Sequence, residues 1–216
     1  MKQYQAYIFD LDGTLLNTLD DLAASVNYAL RSNGLPERTK DEVRQFVGNG
    51  VGKLIERAVP YDTSADVTST VLSTFKTYYI NHSSDMTCPY DGVIAMLDTL
   101  RTHGKRVAVV SNKFDRATKE LCLQYFGDRV EVAIGESDTV VRKPSPDGIN
   151  EAMRLLGVSA SDTVYIGDSD VDILTARNAG IPCISVLWGF RDKDFLLEHE
   201  AETLADSPLA LIADVL

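Results

Sequence analysis

Asp10 and Asp12 stand two positions apart at the end of an apolar run in "YIFDLDGT". In an extended segment residues i and i+2 point to the same side, so two like charges crowd together unless a cation or a proton lies between them. Three further clusters carry related chemistry: Ser111 and Asn112 in "VVSNK", Lys143 in "RKPSP", and Asp168 with Asp172 in "GDSDVD". Asp10, Asp12, Asp168 and Asp172 bring four negative charges and Lys143 one positive charge. Buried together, they are strongly unfavourable without a further cation. The oxygen donors suit Mg2+ better than Zn2+, since no histidine or cysteine stands among them. Mg2+ leaves one negative charge, or none if Asp12 carries a proton. A phosphoryl group can then bridge the metal, Lys143, the Ser111 hydroxyl and loop amides, and an aspartate can act as nucleophile to form an aspartyl-phosphate.

Clusters so far apart in sequence meet only if the fold sets them along one edge. The second half alternates "RVAVV", "RATKELCLQYF", "VEVAIG", "GINEAMRLLG", "TVYIG", "DILTARNAG" and "IPCISVLWG", which reads as a βαβ series. The expected class is α/β, a doubly wound parallel-sheet Rossmann-like core with helices on both faces. "AYIF" is a further buried strand, yet the next one arrives only near Lys105. Between them the spacing predicts helices over 18–33, 40–46, 51–59 and 65–81, with Thr18 as N-cap, Asp20 and Asp21 in the first turn and Gly34 as C-terminal stop. The expected organisation is a catalytic core of 1–15 and 85–216 with a helical domain, 16–84, inserted after the first strand. Ligands of open α/β sheets bind outside the carboxyl ends of the strands, and each of the four clusters follows a strand.

Composition narrows the partners. The chain has 216 residues, 44% hydrophobic and 25% charged, an ordinary globular balance, and no apolar run nears the ~18 residues of a membrane helix. A formal net charge of -11 opposes nucleic-acid and anionic-membrane binding, so an anionic ligand must be drawn by local charge. Cys88, Cys122 and Cys183 lie far apart, as reduced thiols do, and "MKQYQAYIFD" lacks a signal-peptide core. The expected location is cytoplasmic.

With the motifs "DLDGT", "VVSNK", "RKPSP" and "GDSDVD" in this order, the sequence resembles the haloacid dehalogenase superfamily of aspartate-nucleophile phosphohydrolases, and within it the phosphoglycolate phosphatase branch. The resemblance spans nearly the whole chain. It implies Asp10 as nucleophile and metal ligand, and Asp12 as general acid/base that lends the metal its backbone carbonyl. It further implies Ser111 and Lys143 as the phosphate-binding pair, Asp168 as metal ligand and Asp172 as its supporting carboxylate. The helical insertion resembles the family's cap domain. Asp12 argues for phosphate chemistry against dehalogenation, because a departing alcohol needs a proton and a halide does not. Asn17 departs from the acid many relatives carry after "DGTL".

Blander readings stand beside these. Thr14 either binds phosphate with Asn112 or caps its turn, and Asp170 is an ordinary first-turn acid. "VGNGVGKL" lacks the glycine and hydroxyl of a phosphate loop and reads as a loop feeding a helix. On that helix Lys53 and Arg57 share one face and are candidates for substrate specificity from the cap. The expected activity is Mg2+-dependent hydrolysis of a small phosphomonoester of the phosphoglycolate kind. Alternatives are a β-phosphoglucomutase-like phosphomutase, a pyrophosphatase or a non-catalytic phosphate-binding protein. The expected partner is a small phosphorylated metabolite, and the expected state a monomer or homodimer.

Overall fold

The computed structural model describes residues 3–213, and the chain divides into two compact units, Met1–Leu16 with Pro89–Leu216, and Asn17–Cys88. The first strand, β1 (Ala6–Phe9), is buried throughout, as an uninterrupted apolar run requires when both faces of a parallel strand are covered. β2 (Leu16–Asn17) pairs with β3 (Cys88–Pro89) where the chain leaves the core unit and returns to it.

The unit Asn17–Cys88 contains α1 (Leu19–Ser32), α2 (Lys40–Phe46), α3 (Gly50–Ala58) and α4 (Ala65–His82), within about a residue of the ranges expected. Leu22, Val26, Ala29 and Leu30 of α1 and Val71, Phe75 and Tyr79 of α4 are buried at helical spacing, and α1 packs along α4. Thr39 and Glu42 cap α2 reciprocally. Gly34 ends α1 at φ +71°, donating to Arg31 O while Leu35 N–H reaches Leu30 O. The start of α1 differs from expectation. The buried Thr18 hydroxyl makes no cap bond. Asp21, expected merely to favour the helix dipole, is buried and accepts the Met86 N–H at 2.9 Å, the Thr87 N–H at 2.9 Å and the Thr87 hydroxyl at 2.7 Å. Its carboxylate thus holds the returning segment against α1.

The core unit continues with α5 (Val93–Thr102), β4 (Arg106–Phe114), α6 (Asp115–Phe126), β5 (Val132–Glu136), α7 (Asp147–Leu156), β6 (Thr163–Gly167), α8 (Asp170–Asn178), β7 (Cys183–Val186), α9 (Lys193–Glu198) and β8 (Leu204–Ala205). The six-stranded sheet has the order β5-β4-β1-β6-β7-β8, with parallel pairing at each step. It is an α/β Rossmann-like core. Alternate residues serve opposite faces: Tyr7, Phe9, Val107 and Val109 enter one apolar cluster, and Ala6, Ile8, Ala108 and Val110 the other. Phe9 stands opposite both Val109 and Ile166, so Asp10, Ser111 and Asp168 emerge together at the carboxyl edge, beside the point where the strand order reverses.

Asp21→Ala leaves three donors without their acceptor and should cost about 3 kcal/mol, read as a lower urea midpoint of unfolding followed by circular dichroism; an unchanged midpoint would show that Asp21 holds nothing in place.

Candidate active site

Asp10 follows β1 with 8% of its surface exposed. Its Oδ1 accepts the Leu11 N–H at 2.7 Å, and Lys143 Nζ lies 2.9 Å from its Oδ2. Lys143 comes from the loop before α7 and is itself buried. Its ammonium has three protons and three partners: Asp10, Asp172 Oδ1 at 2.7 Å and the Tyr165 hydroxyl at 3.1 Å. Asp172 Oδ2 accepts from the N–H groups of Asp168 and Ser169 and, at 2.6 Å, from the Ser169 hydroxyl. Both Asp172 oxygens are therefore occupied by donors, as befits a carboxylate that orients its neighbours. Asp168 Oδ2 accepts the Phe190 N–H at 2.7 Å, and its Oδ1 the Thr14 hydroxyl at 3.3 Å.

The electrostatics follow from this enclosure. Burial holds the Asp10 carboxyl well above its ordinary range, with Lys143 opposing and Asp172 and Asp168 reinforcing the shift. Burial, then Asp172, push Asp168 up to about 7 against the Phe190 N–H, Lys143 and Arg191. Burial disfavours the Lys143 ammonium, yet Asp10 and Asp172 outweigh it and its affinity for the proton rises.

β4 does not stop after "RVAVV" but runs through Phe114, with a register shift between Val110 and Phe114; Ser111 and Lys113 are both buried there, and the Lys113 N–H donates to the Ser111 hydroxyl oxygen at 3.2 Å. Lys113 is the residue that sequence reasoning missed. Its Nζ lies 3.1 Å and 3.4 Å from the two oxygens of Asp12, with side chains 2% and 17% exposed. Its place in "VVSNK", beside Ser111 and Asn112, was the available signal. Asn112, expected among the phosphate-binding residues, turns the other way: its side chain donates to Lys143 O at 3.1 Å and accepts Lys143 N–H at 2.6 Å. It braces the lysine's backbone. Thr14, also expected there, commits its hydroxyl to Asp168.

Three loops interlock around Asp168. Gly13 has φ +87°, and a Cβ there would stand 2.4 Å from Asp168 Oδ2; a Cβ on Gly189 would stand 2.3 Å from Asp168 Cβ and 2.6 Å from Gly13 O. Only glycine lets these backbones approach so closely. The single tryptophan, Trp188, closes the same group by donating its indole N–H to Thr14 O at 2.9 Å.

Carboxylate oxygens of Asp10, Asp168 and Asp172 lie within 4.8 Å of one another. Carboxylate oxygens are hard donors, which fits a divalent cation such as Mg2+, and Asp172, whose two oxygens already accept from Lys143, Asp168 and Ser169, is the orienting member of the three. The charges fit as well. Four carboxylates face two buried lysines, a deficit of two that one divalent ion removes.

This arrangement has known counterparts. The family described as haloacid dehalogenase-like hydrolase matches residues 7–186. The chain belongs to the haloacid dehalogenase-like hydrolases. Phosphoglycolate phosphatase of Xanthomonas campestris pv. campestris is 35% identical over 211 residues, which cover 96% of this chain and 95% of that protein. Phosphoglycolate phosphatase of Neisseria meningitidis is 32% identical over 206 residues, 93% of this chain and 88% of its own length. Among solved structures, one provisionally named phosphoglycolate phosphatase from Lactobacillus delbrueckii subsp. bulgaricus superposes with a TM-score of 0.95 at 34% identity, covering 100% of this chain and 99% of that one. The hydrolase is thus a phosphatase.

Lys53 and Arg57 lie in the other unit of the hydrolase, on α3. Lys53 is exposed and pairs with Glu56 at 2.6 Å. Arg57 is engaged in the preceding loop, donating to Phe46 O at 2.8 Å and Asn49 Oδ1 at 2.6 Å. All three cysteines are free thiols, and burial pushes Cys122 up to about 12, which leaves it protonated and unreactive. No helix among the described residues is long and apolar enough to cross a membrane.

The raised Asp168 carboxyl carries a sign for stability. The ordinary carboxylate range lies near ~4, so the metal-free folded state binds this proton more tightly than the unfolded chain, and the stabilisation is lost as pH rises through about 7. In chelator the melting temperature should therefore rise as the pH is lowered from about 8 to about 5, and Asp168→Asn should make that rise shallower. Parallel profiles for the two proteins would contradict the assignment.

Proposed function

We propose that the hydrolase releases phosphate from a small phosphomonoester of the phosphoglycolate type, with Mg2+, through an aspartyl-phosphate on Asp10. The observation that carries this reading is the buried Asp10–Lys143 pair, 2.9 Å apart, set among the oxygens of Asp168 and Asp172. The names of the relatives supply the substrate class.

Each residue then has a part that its chemistry allows. Asp10 attacks phosphorus, and the bond to the leaving oxygen breaks as that oxygen takes a proton from Asp12. Asp12 in turn removes a proton from the water that hydrolyses the aspartyl-phosphate. The Ser111 hydroxyl and loop amides hold the equatorial oxygens, and Lys143 keeps a positive charge beside them. Asp10, Asp168 and the Asp12 carbonyl would hold Mg2+, with Asp172 orienting the set. When bound, the ion supplies positive charge to the transferring phosphoryl oxygens.

The helical unit serves in this reading as a cap, with Lys53 meeting the end of the substrate remote from the phosphate. An exposed lysine in the first turn of α3 opposes the helix dipole, a cost that an anionic ligand offsets. Arg57, engaged with Phe46 O and Asn49, braces the loop from which α3 starts.

Asp10→Asn should abolish phosphate release without loss of fold, and chelator should stop the wild-type reaction until Mg2+ is restored. Turnover by the Asn variant at the wild-type rate, or in excess chelator, would sink this mechanism. Lys53→Ala should lower kcat/KM for a carboxylated phosphomonoester several-fold or more, a loss of ~1 to 3 kcal/mol, and spare an uncharged aryl phosphate. Parallel losses on both substrates would remove Lys53 from specificity.

A further inference from the structure

Lys113 has no place in the reaction just described, yet it is among the most enclosed cations of the core unit. Its side chain is 2% exposed, and its ammonium lies 3.1 Å from Asp12 Oδ1 and 3.4 Å from Oδ2. Its backbone is held on both sides: its N–H donates to the Ser111 hydroxyl oxygen at 3.2 Å, and the Thr118 hydroxyl of α6 donates to Lys113 O at 3.3 Å. A buried lysine without an opposing charge is costly. Here it opposes an acidic set already served by one lysine.

We propose that Lys113 is a positioning residue that sets the charge of the site as well as the place of Asp12, so that the site with a divalent ion bound still admits a doubly negative phosphoryl group. Lys113 pairs with Asp12, and Lys143 with Asp10 and Asp172; with Asp168 beside them the set is four carboxylates and two ammonium groups, a net of two negative charges that one divalent ion cancels. Without Lys113 the same site with its ion keeps one negative charge. Arg191 acts on Asp168 from the loop after β7 and is common to every variant below, so it does not alter their order. Removing the lysine strengthens the pull on a cation and weakens the pull on an anion, a pair of opposite changes that loose packing does not produce. Only the identity of the anion rests on the phosphatase reading.

The test is a charge cycle with Lys113→Met, Asp12→Asn and the double variant. Mg2+ binding is measured by titration calorimetry at slightly alkaline pH without substrate, and inorganic phosphate binding at saturating Mg2+. Lys113→Met should bind Mg2+ about tenfold more tightly and phosphate about tenfold more weakly. Asp12→Asn should shift both the other way. The double variant, whose net charge equals that of the wild type, should return Mg2+ affinity close to the wild-type value, and Lys113→Arg should keep both affinities. If Lys113→Met and the double variant both lose affinity for Mg2+ and phosphate alike, Lys113 is only a packing residue and the proposal fails; it fails equally if neither affinity moves. Should Lys113→Met not fold, Asp12→Asn and the double variant still decide, since the proposal requires the first to bind Mg2+ more weakly than the second. This order of affinities in a protein that releases no phosphate would overturn the proposed reaction and leave the role of Lys113 supported.

Discussion

Carboxylates brought to the carboxyl edge of a parallel sheet repel one another, and the core unit is organised around that repulsion. β1 pairs with β6, both feed the same two apolar clusters, and each strand is followed directly by an aspartate, so Asp10 and Asp168 meet whether or not their charges favour it. At an effective dielectric of ~20, two unit charges ~4 Å apart interact by about 4 kcal/mol, several times the net worth of an ordinary hydrogen bond. Cations therefore decide whether the site holds together. Lys143 spends its three N–H groups on Asp10, Asp172 and Tyr165, and Lys113 faces Asp12.

Around these charges stands a set of neutral braces. Asn112 grips the Lys143 backbone from two sides, Trp188 holds the turn after Asp12 through Thr14 O, and the Phe190 N–H aims Asp168. Gly13 and Gly189 permit backbone approaches that any side chain would block. Asn112 and Thr14 thus orient Lys143 and Asp168, the residues that carry charge. Strand ends and short loops suit that purpose, since their positions are fixed by sheet pairing on one side and helix packing on the other.

The helical unit follows a different economy. Its helices are held by an apolar core around Phe75 and Tyr79, and its polar side chains fix loops: Asp21 the returning segment, Arg57 the turn before α3. Lys53 and Glu56 are each about half exposed and pair with one another along their own helix. An exposed pair of this kind contributes little to stability, which leaves Lys53 free to exchange partners at small cost.

Much of this was legible in the sequence because it depends on local pattern. Helical spacing and end signals placed α2 at Lys40–Phe46 and α4 from Ala65, and the alternation of strand and helix announced a parallel sheet whose carboxyl edge gathers Asp10, Ser111, Lys143 and Asp168. The deficit of positive charge among Asp10, Asp12, Asp168, Asp172 and Lys143 is readable from residue types, and it calls for a cation once the clusters meet at that edge. Tertiary structure alone decided the strand order β5-β4-β1-β6-β7-β8, the extension of β4 through Phe114, and every pairing between distant segments. Lys113 and Asp12 are separated by 101 positions, and Trp188 and Thr14 by 174. Periodicity reports which face of an element is buried; it carries no information on which distant side chain will lie against it. That is why the pairing of Lys113 with Asp12, and the hold of Asn112 on the backbone of Lys143, become visible only in the folded chain.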